Sequence, residues 1–212
     1  MTLQPLPSIT PLPPLPPPDR PPVGSPAVLL AVDPSAEPDG ERSPVASVAG
    51  GRLELRAGAP AATTGVPFAP VSFRDVVIDA VVALERGGGG DAYGLYLRQS
   101  AEQAYIAFVV TPEGRGAIMA VEDGTVRSLA EGDLPPDAPF ARGVEAPNRL
   151  TVIAAGPCVT CLVNGYVLAG VIVEPRYKSG IAGAVLLHGG TDPDARMSLR
   201  WAQVRSILVD QT

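Results

Sequence analysis

The apolar residues of this chain come in short runs separated by glycine, proline and acidic residues, and no helical period persists for a useful length. Leu53 and Leu55 alternate with Arg52, Glu54 and Arg56, the period-two pattern of a strand with one buried face. Residues 76–84 form a β-branched run closed by Gly87-Gly88-Gly89-Gly90, and residues 93–98 and 105–111 read as two strands around a polar turn at 99–103. Residues 117–121 and 125–129 flank Glu122-Asp123-Gly124, a tight-hairpin signal. Farther on, residues 149–155, 158–163 and 166–173 form a three-strand meander, joined by Gly156-Pro157 and Asn164-Gly165. Asn-Gly between apolar runs is a strong hairpin signal because both residues tolerate positive φ. Residues 181–187 and 197–209 supply the last strands. Roughly ten strands and almost no helix predict an all-β fold, a two-sheet antiparallel jelly-roll sandwich over residues 28–212.

Residues 1–27 follow a different rule. Leu3, Leu6, Ile9, Leu12 and Leu15 recur every third residue in a stretch dominated by proline. Polyproline II has three residues per turn, so these side chains would line one edge, roughly 37 Å long at about 3.1 Å per residue. Proline removes backbone donors, so the segment can supply neither helix nor central strand. A stiff rod with one greasy side predicts a strap laid into a groove on another protein, with those five residues as the contacts.

The composition narrows the classes. Hydrophobic residues make up 46 % of the 212 and aromatics 5 %, so the core must rest on Val, Leu, Ile and Ala. A net charge of −6 without any Lys/Arg run argues against a nucleic-acid partner, which needs a basic face. Arg20 is the first basic residue, and proline interrupts each apolar run that could serve as the core of a secretory signal. No run approaches the ~18 apolar residues of a membrane span. The default expectation is a cytoplasmic protein, peripheral to a membrane if it meets one.

Candidate chemistry is sparse. Cys158 and Cys161 have redox-motif spacing but fall in a predicted strand, where i and i+3 point to opposite faces; reduced structural thiols are expected. His188, the lone histidine, reads as a loop residue without a role. Gly87–Gly90 reads as flexible linker, because a phosphate loop needs a lysine and a following helix. The rings available for stacking are Tyr93, Tyr96, Tyr105, Tyr166, Tyr177 and Trp201. Of these, Trp201 alternates with Leu199 and is expected in the core, while Tyr96 and Tyr105 could face outward near one another.

The order of these motifs resembles the laminin-G-like branch of the concanavalin A-like lectin–glucanase superfamily. The resemblance rests on Phe73-Arg74-Asp75-Val76-Val77-Ile78-Asp79, Tyr93-Gly94-Leu95-Tyr96-Leu97-Arg98 and Tyr105-Ile106-Ala107-Phe108. It is strongest at Asn148-Arg149-Leu150-Thr151-Val152 followed by Val159 to Gly165, and continues through Gly180-Ile181-Ala182-Gly183 and Leu199-Arg200-Trp201. Two positions depart from the family pattern: Cys161 replaces an inward aromatic, and Ala202 replaces an Asp on the closing strand. The second removes a carboxylate from a superfamily in which structural calcium sites are common. Sandwich glucanases carry alternating carboxylates of the Glu-x-Asp type on one strand face, as glycoside hydrolysis requires. Here Glu122 and Asp123 are adjacent in a turn, and Asp133, Asp137 and Glu145 lie in a proline-rich loop.

These readings predict a non-enzymatic accessory subunit without cofactor or metal, docked by its strap onto other subunits of a larger assembly, for which a membrane-embedded energy-transducing complex is one host. The alternative is a carbohydrate- or ligand-binding lectin-like module.

Overall fold

The computed structural model describes residues 28–100 and 104–207. The strap and its five aliphatic residues lie outside them. Fifteen strands follow one another with a single 3₁₀ turn, Pro34–Ala36, as the only helical element among the described residues. They are β1 (Val28–Val32), β2 (Gly40–Ser43), β3 (Ala46–Ala49), β4 (Arg52–Ala57) and β5 (Ala62–Pro67). Next come β6 (Val76–Arg86), β7 (Asp91–Gln99), β8 (Tyr105–Val110), β9 (Arg115–Glu122) and β10 (Thr125–Asp133). The chain closes with β11 (Asn148–Ala155), β12 (Cys158–Val163), β13 (Tyr166–Ile172), β14 (Ile181–His188) and β15 (Ala195–Ser206).

The strands form two antiparallel sheets. One has nine strands in the order β13-β12-β11-β6-β15-β4-β3-β2, with β1 also paired to β15; the other has six, β10-β9-β8-β7-β14-β5. The core lies between them. Ile78, Val82, Leu150, Val152 and Leu199 from the first sheet and Leu95, Phe108, Ile118 and Leu186 from the second are fully buried in one cluster. Each such side chain contributes about 1.5–3 kcal/mol relative to exposure, so a sandwich poor in aromatics holds by number rather than size. The hairpin signals read from sequence are realised: Asp123 and Gly124 have φ of 48° and 76°, and Asn164 and Gly165 have φ of 48° and 86°.

Four strands escape the sequence pattern. β1 and β3 are short, β2 is Gly-Glu-Arg-Ser, and β5 reads Ala-Thr-Thr-Gly-Val-Pro. β2 and β5 are edge strands, which need apolar residues on one face only and tolerate a terminal proline, while β3, between β4 and β2, is too short to show a period.

Trp201 is a correction. It is fully buried, but it does not alternate with Leu199. The register shifts between Leu199 and Trp201, so Leu199 pairs with inward Val82 while Trp201 pairs with Val81. Paired residues share a face, so the extra residue, Arg200, turns the indole to the outer face of the nine-stranded sheet.

The cysteines behave as the strand reading requires. Cys158 is exposed, Cys161 is buried, and both are free thiols. Burial pushes the Cys161 thiol far above its ordinary value. A thiol reagent at pH 8 should therefore label one cysteine of the native chain and both after denaturation; rapid modification of two in the native state would refute this placement. No helix among the described residues is long and apolar enough to cross a membrane.

Candidate functional site

The outer face of the six-stranded sheet holds the two rings singled out from sequence. Residues 93, 95 and 97 of β7 point into the core, which sends Tyr96 outward; on β8 the inward Ile106 and Phe108 leave Tyr105 and Ala107 outward. β7 and β8 pair Tyr96 with Ala107, which places Tyr105 diagonally across from Tyr96. Their ring centroids are 5.6 Å apart and the planes meet at 57°. Tyr96 lies on backbone. A methyl group on Gly183 of β14 would come within 2.6 Å of its ring, and one on Gly65 of β5 within 3.4 Å. Two glycines on neighbouring strands thus form the bed on which the ring rests.

Around the pair is a shallow cavity of about 260 Å³, lined by Thr63, Gly65, Pro67, Tyr96, Gln99, Tyr105 and Val185. Burial raises the pKa of both tyrosines, and the neighbouring Tyr105 adds to the rise at Tyr96. Both hydroxyls therefore stay protonated at physiological pH, able to donate and accept. Among the described residues that line the cavity, none is charged.

Two of the other tyrosines are structural. Tyr93 is buried, with its phenol pushed up to about 12 by burial and its oxygen 3.4 Å from Asn148 Nδ2. Tyr177 is buried and donates to Glu122. Tyr166 stands exposed at the Asn164-Gly165 hairpin.

His188 departs from its sequence reading. It ends β14, is 1 % exposed, and both ring nitrogens are engaged: Nδ1 is 2.7 Å from Asp91 Oδ1 and Nε2 is 2.9 Å from the Asp192 carbonyl. Asp91 also accepts from the amides of Gly88 at 2.7 Å and Gly190 at 2.9 Å. A carbonyl and an ionised carboxylate only accept, so both contacts are satisfied when each imidazole nitrogen carries a proton, which favours the imidazolium form. The hydrogen bond to Asp91 raises the His188 pKa, over the opposing effect of burial. For Asp91, burial pushes upward, but the bonds from His188, Gly88 and Gly190 prevail and hold it low.

The glycine run is likewise no loose linker. Gly90 lies so close to Gly189 that a methyl group there would meet its carbonyl oxygen at 2.8 Å. The two loops pack by backbone, clipped by the ion pair. With no nucleophile at its free atoms, this pair is a fastener.

Sequence reading also missed two polar anchors. Asp79 of β6 is 1 % exposed and accepts from Arg149 Nε at 3.0 Å and Nη2 at 2.8 Å, from Thr151 Oγ1 at 2.7 Å, and from Arg205. Arg98, 2 % exposed, donates to the carbonyls of Tyr177, Arg74 and Gly156 at 2.8–3.0 Å, tying three loops. A charged residue inside an apolar run was the available signal for Asp79. Among the described residues no three His, Cys, Asp or Glu side chains gather to hold a metal ion. Asp133, Asp137 and Glu145 are exposed.

No protein-family model matches the chain, nor does any curated protein sequence. Solved structures do match in fold. The carbohydrate-binding module CBM66 from Bacillus subtilis shares 15 % identity over 73 % of this chain and 86 % of its own, with a TM-score of 0.60. The β-glucanase of Bacillus licheniformis shares 9 % over 78 % and 84 %, with a TM-score of 0.57. A Bacillus subtilis protein with a galectin-like fold shares 12 % over 85 % and 96 %, with a TM-score of 0.62.

The architecture is therefore a concanavalin A-like β-sandwich, the fold that the motif order implied. The same neighbours overturn the expectation of an accessory subunit of a larger assembly, because they include a carbohydrate-binding module and a glucanase. That expectation was drawn from Leu3, Leu6, Ile9, Leu12 and Leu15, whose spacing carries no information about what the sandwich does.

Proposed function

We propose that this chain is a non-catalytic carbohydrate-binding domain whose site is the outer face of the six-stranded sheet at Tyr96 and Tyr105. The observation that carries the reading is the half-buried Tyr105 backed by the buried Tyr96 on glycine backbone, beside Thr63 and Gln99, in a cavity whose described lining residues are uncharged. Small-molecule sites are mostly apolar with a few placed polar groups, and a tyrosine offers an apolar body with a polar tip. The fold neighbours support the ligand class, since one is a carbohydrate-binding module.

The non-catalytic part rests on what occupies the alternating positions. The outward residues of β8 are Tyr105, Ala107 and Val109, and those of the adjoining β9 include Ala117 and Met119. The carboxylates that share this face among the described residues, Glu131 and Asp133, stand on the edge strand β10, two strands from Tyr105, and Glu131 accepts from Arg115 at 2.5 Å.

Calorimetric titration against a panel of neutral and anionic polysaccharides tests the proposal. Wild-type protein should bind at least one neutral member without releasing reducing ends. Tyr105→Ala should cost about 2 kcal/mol, roughly 30-fold in affinity, as expected for a central aromatic anchor. Absence of binding across the panel, or binding indifferent to both Tyr105→Ala and Tyr96→Ala, would overturn it.

A further inference from the structure

The nine-stranded sheet has a buried strip on the face turned away from the core. We propose that this strip is the docking surface for the chain's own proline-rich segment, residues 1–27, turned back in cis over Trp201. The proposal concerns the sheet opposite the carbohydrate face and does not rest on the carbohydrate reading.

The strip runs along β6 and β15, where Ala83 pairs with Ser198, Val81 with Trp201 and Asp79 with Gln203, all with side chains outward. All six are buried, and Trp201, the largest, is 0 % exposed. Burial fades to either side. Thr151 and Ile153 of β11 are half-buried, and Val167 and Ile172 of β13 are exposed; toward the other edge Arg52 and Glu54 of β4 are half-buried and Arg56 is exposed. Neighbours within a sheet can shelter the lower face and edges of an outward indole, but its upper face needs a further layer of chain. The long side chains flanking the strip are fastened to carboxylates: Arg149 and Arg205 to Asp79, and Arg52 to Glu85, which also accepts from Ser198.

The place where the described chain begins points to the segment before it. Val28, the first residue of β1, pairs with Arg205, four positions along β15 from Trp201. Gly24-Ser25-Pro26, just ahead of it, is turn chemistry that can reverse the chain over the sheet. The length also matches. As polyproline II, Leu3 to Leu15 make an apolar edge roughly 37 Å long at about 3.1 Å per residue. The 12 residues of β15 span roughly 40 Å at about 3.4 Å each. An edge of leucine and isoleucine suits a strip whose centre is Trp201 and Val81, and a polyproline backbone loses little freedom on docking.

Trp201 is the single tryptophan of the chain and so reports on its own cover. A protease site inserted between Gly24 and Ser25 of the full chain allows the segment to be cut and removed after the sandwich has folded. Before cleavage the indole emission should be blue-shifted and resistant to acrylamide. After removal it should shift to the red and quench several-fold more readily, with the far-ultraviolet circular dichroism of the sheets retained. The uncut variant combining Leu3→Ser, Leu6→Ser, Ile9→Ser, Leu12→Ser and Leu15→Ser should show the same opening. Emission and quenching that stay unchanged after either alteration would overturn the proposal, as would an indole already open to acrylamide in the intact chain. Protection of the intact chain that is lost on dilution would assign the cover to a second copy and overturn it as well.

Discussion

Replacing His188 with alanine should lower the stability of the sandwich by about 3 kcal/mol near pH 6, the low end of the range for breaking a buried ion pair. The loss arises because Asp91 would remain buried with only two amide donors in place of an imidazolium. Its pH dependence identifies the cause. A histidine whose folded pKa is raised contributes fully below its ordinary value of 6.5, and the contribution fades as pH climbs through the higher folded value. Asp91, whose folded pKa is lowered, contributes above its ordinary 3.8, and that part fades as pH falls through the lower folded value. The clip is therefore strongest between about pH 4 and 6.5. Urea unfolding at pH 5.5, 7 and 9 should show the wild-type advantage over His188→Ala shrinking as pH rises. An advantage that is constant or that grows toward pH 9 would mean the imidazole is neutral in the fold.

Asp79→Ala is the second large effect, again about 3 kcal/mol. Asp79 is the common acceptor for Arg149 and Arg205, and its loss leaves two guanidiniums facing each other across three strands. Both arginines keep about a third of their side-chain exposure, so solvent screens the repulsion and keeps the cost at the lower end of the buried range. Adding Arg149→Ala should recover part of the loss, because it removes one of the stranded charges; a double mutant less stable by the full sum of the single effects would show that the charges do not couple. Chemical denaturation of the four proteins at low ionic strength measures this. Binding to saccharide should be unaffected, because Asp79 belongs to the other sheet.

The hairpins show how far local sequence reaches. Asp123-Gly124 and Asn164-Gly165 take positive φ as their residue types demand, and this fixes the register of the strands they join. Such turns are decided within four residues, so they are legible without the fold. Trp201 shows the limit. Its alternation with Leu199 breaks because one extra residue enters β15 opposite β6, an event set by the neighbouring strand. His188 shows the same limit for chemistry: Asp91 lies 97 positions away, and only sheet pairing of β7 with β14 brings the two together.

Alternation and turn chemistry by themselves determined that the chain is an antiparallel all-β sandwich, because one buried face per strand and Gly-containing turns are local properties. They also marked Tyr96 and Tyr105 as outward neighbours, since both parity and pairing follow from a short hairpin. Tertiary structure alone decided that these rings meet at an angle on a glycine bed from two other strands, and that a lone histidine is buried against Asp91. Those features are sums over residues distant in sequence, and the distances between them exist only once the sheets have closed.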